Sequence, residues 1–78
     1  MCELSADPRD WSREDVEQWL RRMSEMYRIS EVKPDRFQMN GKALCLMTVD
    51  MFIYRVPEGG NLLYHDFQRR LRNAVTGQ

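Results

Sequence analysis

The chain is poor in the residue types that most often carry chemistry. It has one histidine, His65, and two cysteines, Cys2 and Cys45. No CxxC pair occurs, and a lone histidine cannot complete a zinc site with these cysteines at any usual spacing. Glu58-Gly59-Gly60 is too short for a phosphate loop. Ser12 and Thr48 read as helix caps rather than nucleophiles, and no carboxylate pair marks a cleft. We therefore expect no enzyme, no metal and no cofactor. An excess of one charge is also missing, since 12 basic residues face 12 acidic ones. DNA-binding modules usually carry a basic surplus, so direct DNA binding by this segment is not expected. No apolar run approaches the length of a membrane span, and the start lacks the apolar centre of a signal peptide. A reduced intracellular setting is therefore expected. In it Cys45, inside Ala43-Leu44-Cys45-Leu46-Met47, reads as a small packing residue and not as half of a Cys2–Cys45 disulfide.

What is present is a short chain with helical punctuation. Its 78 residues allow one small domain, with no room for a lid or a deep cleft. We expect a flexible tail over 1–10, a domain over 11–75 and a C-terminal tail over 76–78. Ser12 followed by Asp15 makes a capping box, with Trp11 and Val16 at the spacing of a hydrophobic staple. Val16, Trp19, Leu20, Met23 and Tyr27 then recur along one helical face. Ile29 and Val32 are expected to tuck inward from a linker. Pro34 suits the first position of a short helix over 34–38. Asn40 caps a second short helix over 42–47. Thr48 caps a third over 49–55, anchored by Phe52 and ended by Pro57. A long last helix runs over 61–74, its core stripe formed by Leu63, Phe67, Leu71 and Ala74. The fold class is thus all-α: five helices, long at each end, with three short ones between. Of the methionines, Met51 is the one expected to be exposed.

One leucine breaks this pattern. At about 100° per residue, Leu62 projects roughly 140° away from Phe67. It leaves the core stripe at the first turn of the last helix. There it serves as a docking knob, or a neighbouring segment covers it; spacing does not decide.

The residues also carry a resemblance. Trp11-Ser12-Arg13-Glu14-Asp15-Val16 with Trp19-Leu20 resembles the opening of a Pointed domain, the SAM-type domain of ETS-family regulators. Phe37-Gln38-Met39-Asn40-Gly41-Lys42-Ala43-Leu44-Cys45-Leu46 resembles that family's central signature. Phe52, Arg55, Pro57, Gly60 and Leu63-Tyr64 resemble its closing segment. The likeness is strongest to the TEL/Yan repressor branch. It implies a five-helix SAM bundle with two protein-binding faces. The mid-loop face would hold Asn40, Ala43, Met47, Val49, Asp50 and Met51, with Ala43 central. The end-helix face would hold Gly60, Asn61, Leu62, His65 and Arg69. In self-associating members the end-helix of one copy docks on the mid-loop of the next, an open heterologous contact.

Two departures from the branch stand out. Gly60-Asn61-Leu62 replaces a common Gly-Asp-Val, which removes a charge and enlarges the knob. Val49-Asp50-Met51-Phe52-Ile53 is more apolar than the usual charged segment, and its three flanking apolar side chains cover too much circumference to share one core. The resemblance therefore implies a module that binds the Pointed domain of an ETS repressor and caps or depolymerises it. It would act in the nucleus, with shuttling to the cytoplasm. Alternatives are the self-polymerising Pointed domain of a repressor itself, and an RNA-binding SAM domain using Arg69, Arg70 and Arg72. The same arginines also fit a helix C-terminus, where cations are favoured. Asp50 serves either a basic partner or the first turn of its own helix. Weak self-association and kinase docking complete the expected partners.

If Ser12 caps the first helix, Ser12→Ala should lower stability by about 1 kcal/mol in urea denaturation.

Overall fold

The computed structural model describes residues 4–29 and 32–77. Among them it is all-helical. Four α-helices run over Arg13–Tyr27 (α1), Gly41–Leu44 (α2), Val49–Arg55 (α3) and Gly60–Thr76 (α4). Two 3₁₀ turns, Pro8–Asp10 and Pro34–Phe37, complete the order. The architecture matches the expected long-short-long arrangement, but the count differs from five α-helices. The segment opening at Pro34 closes only a 3₁₀ turn, with Arg36 donating to the Lys33 carbonyl at 2.9 Å. No side chain caps this turn, unlike the equally short α2, which Asn40 caps.

The local starts agree closely with the sequence. Ser12 Oγ accepts the Asp15 N–H at 3.1 Å, and Asp15 returns the bond to the Ser12 N–H at 3.0 Å. Asn40 and Thr48 cap α2 and α3 by accepting from Ala43 and Met51. Helix α1 ends at Arg28, whose left-handed φ of 53° turns the chain. Its N–H and that of Ile29 both reach the Ser24 carbonyl, and Ile29 drops into the core.

The core has two aromatic groups joined through α4. Trp11, Trp19 and Phe67 meet pairwise with centroids 5.5–5.8 Å apart. Phe37, Phe52 and Tyr64 form the second group, each neighbouring pair at 5.7 Å. Tyr64 and Phe67 are three residues apart on α4, so one helix carries a member of each group. Arg55 ties the second 3₁₀ turn to α3: its Nε donates to the Arg36 carbonyl at 3.0 Å and its guanidinium lies 5.9 Å from the Phe37 ring centre.

Residues 4–10 depart from the expected tail. The Pro8–Asp10 turn packs against α2 and α4, and Pro8 is buried. Trp11 donates its indole N–H to the Ser5 carbonyl at 2.9 Å. A buried indole needs an acceptor, and the preceding backbone supplies it. The packed unit therefore starts ahead of residue 11. At the other end α4 continues to Thr76. Cys45 is a free, half-buried thiol whose pKa burial pushes up, in keeping with a packing role. Cys2, and with it the disulfide question, lies outside the described residues.

Gly41 makes this N-terminal packing possible. Its N–H donates to the Trp11 carbonyl at 2.9 Å, and a Cβ there would overlap the Pro8 carbonyl. Gly41→Ala should lower stability by about 1–3 kcal/mol. It should also release the Pro8–Asp10 turn, seen as faster amide exchange at Trp11 and Gly41.

Candidate protein-binding faces

The outer face around α2 and α3 keeps apolar residues of α3 and of the turn after α2 exposed. On α3, Phe52 is fully buried, while Val49 is half-buried and Met51 and Ile53 remain 46% and 38% exposed. The crowding expected from the sequence is thus relieved outward. Asp50 is exposed in the first turn of α3. Asn40 is exposed and holds its cap, and Ala43 is half-buried one turn later.

Met47 does not belong to this face. It is buried in the core at 8% exposure. Helix α2 stops at Leu44, and the chain turns as Leu46 and Met47 donate to the Ala43 and Leu44 carbonyls. Met47 lies three residues after the buried Leu44 and falls on the same inner side, while Leu46 points outward and is 82% exposed.

Two exposed residues of this region lie outside the set expected from the sequence: Leu46 and Tyr54, the latter also at 82%. Tyr54 was findable, because it lies three residues from Met51 on the side of α3 away from Phe52. Leu46 was findable too, because at about 100° per residue it projects roughly 160° away from Leu44, which is buried. Met26, at 64%, is also more exposed than Met51.

The second face lies at the start of α4. Gly60 is buried, and so is not itself a contact residue. A Cβ there would overlap the Phe52 carbonyl, and the Gly60 N–H donates to the Val56 carbonyl at 2.8 Å. This close approach seats α4 on α3 and sets the direction of the whole last helix. Asn61 is exposed, Leu62 is 43% exposed, and Leu63 is fully buried. His65 is exposed, edge-on to the Tyr64 ring at 5.4 Å. Leu62, His65 and Arg69 share a hollow of about 300 Å³ with Tyr27, Gln68 and Arg72, floored by Asp66.

Asp66 is the functional-looking group that sequence reasoning passed over. It is 7% exposed, and its carboxylate accepts from the Trp19 indole at 2.7 Å, from Arg69 Nη2 at 2.6 Å and from Arg70 Nε at 2.7 Å. Burial opposes its ionisation, but the bonds from Trp19, Arg70 and Arg69 outweigh burial and hold the carboxyl below the usual range. The signal was in the chain: an aspartate with arginines at i+3 and i+4. This also corrects the reading of the arginines as C-terminal dipole partners. Helix α4 runs on to Thr76, its last turn holds no basic residue, and two of the three arginines bind Asp66.

Among the described residues no cluster of His, Cys, Asp or Glu is arranged to hold a metal, and no helix is long and apolar enough to cross a membrane. A family model, the Sterile alpha motif (SAM)/Pointed domain, matches residues 1–74. The chain belongs to the SAM/Pointed domain family. It is 41% identical over 69 residues to mouse (Mus musculus) Transcription factor ETV6, covering 88% of this chain and 14% of that protein. It is 43% identical over 65 residues to human (Homo sapiens) Transcription factor ETV7, covering 83% and 19% respectively. The Drosophila melanogaster Ets DNA-binding protein pokkuri is 46% identical over 65 residues, covering 83% and 9%. The chain thus spans less than a fifth of the length of these relatives. It is homologous to the Pointed domains of ETS factors, which are protein–protein interaction modules not known for catalysis.

The Asp66 site sets an acid limit on stability. A carboxyl held below its unfolded value of 3.8 contributes fully above that pH and loses its contribution as pH falls through the folded value. The urea midpoint should therefore drop below about pH 4. Asp66→Ala, which strands the buried Trp19 N–H, should cost about 2–3 kcal/mol at neutral pH and flatten this acid limb.

Proposed function

We propose that this Pointed domain binds the SAM/Pointed domain of an ETS-family repressor head-to-tail through its mid-loop face, capping or depolymerising the repressor's assemblies. The observation that carries this reading is an asymmetry of exposed apolar surface. Leu46, Met51, Ile53 and Tyr54 stand out of the α2–α3 region within nine residues of chain. At the start of α4 only Leu62 does so, beside an uncharged Asn61. Exposed apolar groups gathered in one region mark an interaction surface. A domain with one strong face and one weak face ends a filament rather than extending it.

The energetic requirement is small. An advantage of about 1.4 kcal/mol over the repressor's self-contact gives tenfold preference at equal concentration. Burying one further large apolar side chain supplies about 1.5–3 kcal/mol. The likeness to ETS transcription factors supports a nuclear setting.

The RNA alternative is less favoured. Of the guanidiniums at residues 69, 70 and 72, the first two are bound to one buried carboxylate, and the chain has no net charge. The self-polymerising alternative needs two strong faces. Sedimentation separates these readings. The domain alone should remain monomeric and, added to a polymeric repressor Pointed domain, should shorten the polymer. Ala43→Asp on the mid-loop face should abolish this effect without unfolding the chain, whereas Leu62→Arg should leave it within about twofold. A concentration-dependent polymer of the domain alone would overturn the capping role.

A further inference from the structure

We propose that Tyr54 is a phosphorylation site for a tyrosine kinase, and that its phosphate closes the mid-loop face to an apolar partner. The second half rests on the mid-loop reading above; the first half does not.

Three observations set Tyr54 apart from the other tyrosines. First, it is 82% exposed, and among the described residues it makes no hydrogen bond or ring contact. Tyr64 is half-buried against the Phe52 and His65 rings, and Tyr27 is 45% exposed at the end of α1. Second, Ile53 stands directly before Tyr54, and the exposed Pro57 lies three residues after it. That order, aliphatic-Tyr-x-x-Pro, is one that tyrosine kinases read as a linear substrate, and neither Tyr27 nor Tyr64 has a proline at that place. Third, Tyr54 occupies the last turn of α3, a helix of seven residues, and Val56 has already left helical geometry at φ −136° and ψ 85°. The end of so short a helix opens at small cost, which lets a kinase take the stretch lengthwise.

The step is a phosphoryl transfer from ATP. The Tyr54 hydroxyl oxygen attacks the γ-phosphorus and forms the new O–P bond. The bond from that phosphorus to the β-phosphate oxygen breaks, and ADP leaves. The hydroxyl proton passes to a carboxylate base of the kinase.

The consequence follows from the surroundings. The phosphate adds a charge of about −1.5 to −2 at pH 7. It would stand in the exposed apolar surface of Leu46, Met51 and Ile53. A charge of that size inside an apolar interface disrupts it through desolvation. Asp50 and Glu58, exposed four residues to either side, share its sign. The nearby guanidiniums are turned to main chain: Arg55 Nε donates to the Arg36 carbonyl at 3.0 Å and lies over the Phe37 ring, and Arg36 Nη1 donates to the Arg55 carbonyl at 3.3 Å. Because Tyr54 stands outside the core, the phosphate acts on the face and leaves the packing in place.

The test incubates the full chain with MgATP and a purified tyrosine kinase domain, and maps the product by peptide mass spectrometry. One phosphate should appear at Tyr54, and Tyr54→Phe should abolish the labelling. The phosphorylated chain should keep its urea midpoint but shorten a polymeric repressor Pointed domain about tenfold less effectively in sedimentation. Phosphatase treatment should restore the effect, and Tyr54→Phe should behave alike before and after kinase treatment. A phosphate on Tyr27 or Tyr64 instead, or none at all, would sink the assignment of the site. A phosphorylated chain that shortens the polymer as well as before, or that loses its fold, would overturn the switch. Failure of the unmodified chain to shorten the polymer would remove the mid-loop reading and the switch with it, while the mapping still decides the site.

Discussion

The carboxylate of Asp66 holds the two long helices in one arrangement. Trp19 and Asp66 are 47 residues apart in the chain, yet the indole N–H and the carboxylate meet at 2.7 Å inside the packed unit. The indole brings its ring into the group formed with Trp11 and Phe67. The carboxylate brings Arg69 and Arg70 onto the surface of α4. A single buried acid thus links core packing on one side to surface charge on the other. Neither half stands without the other, because a buried indole N–H lacking an acceptor and a buried carboxylate lacking donors are both costly.

Around that link the fold divides its work. The ends of the chain make the rigid frame, with long helices, stacked aromatics and a 3₁₀ turn folded over Trp11. The middle makes surface. Helix α3 leaves Met51, Ile53 and Tyr54 exposed, and α2 and α3 are each started by a capping side chain. Short capped helices show more of their circumference than long ones packed along their whole length. The exposed apolar surface of this region is therefore a by-product of brevity, placed by Asn40 and Thr48.

Much of this was legible in the sequence because it is local. Caps, the proline stops, the stripe of Val16, Trp19, Leu20 and Met23, and the direction of Leu62 away from the core stripe all arise from spacing within a few residues, whereas Tyr27, expected on the same stripe, is 45% exposed. The family pattern added two candidate faces. What escaped depends on where elements end or meet. Met47 is expected at the surface and is buried, because it lies three residues after Leu44 on the side that meets the core. Gly60 is expected on a face and lies under it, because its role is a backbone approach to Phe52. Residues 4–10 read as tail because α2 with its Gly41, against which they pack, lies far along the chain. Asp66 escapes notice because its partner Trp19 lies in another helix.

Gly60 also governs how firmly its neighbour is held. Because α4 meets α3 there through main chain and not through side chains, the first turn of α4 has little room to rock. Leu62 is therefore carried on a stiff mount, two residues beyond an anchored pivot and one residue before a buried leucine. A backbone held this way has little freedom left to lose, so an association made through Leu62 would forfeit less entropy than one made through a knob on a loop. Selection can then adjust what the knob touches by exchanging a single side chain while its mount stays as it is.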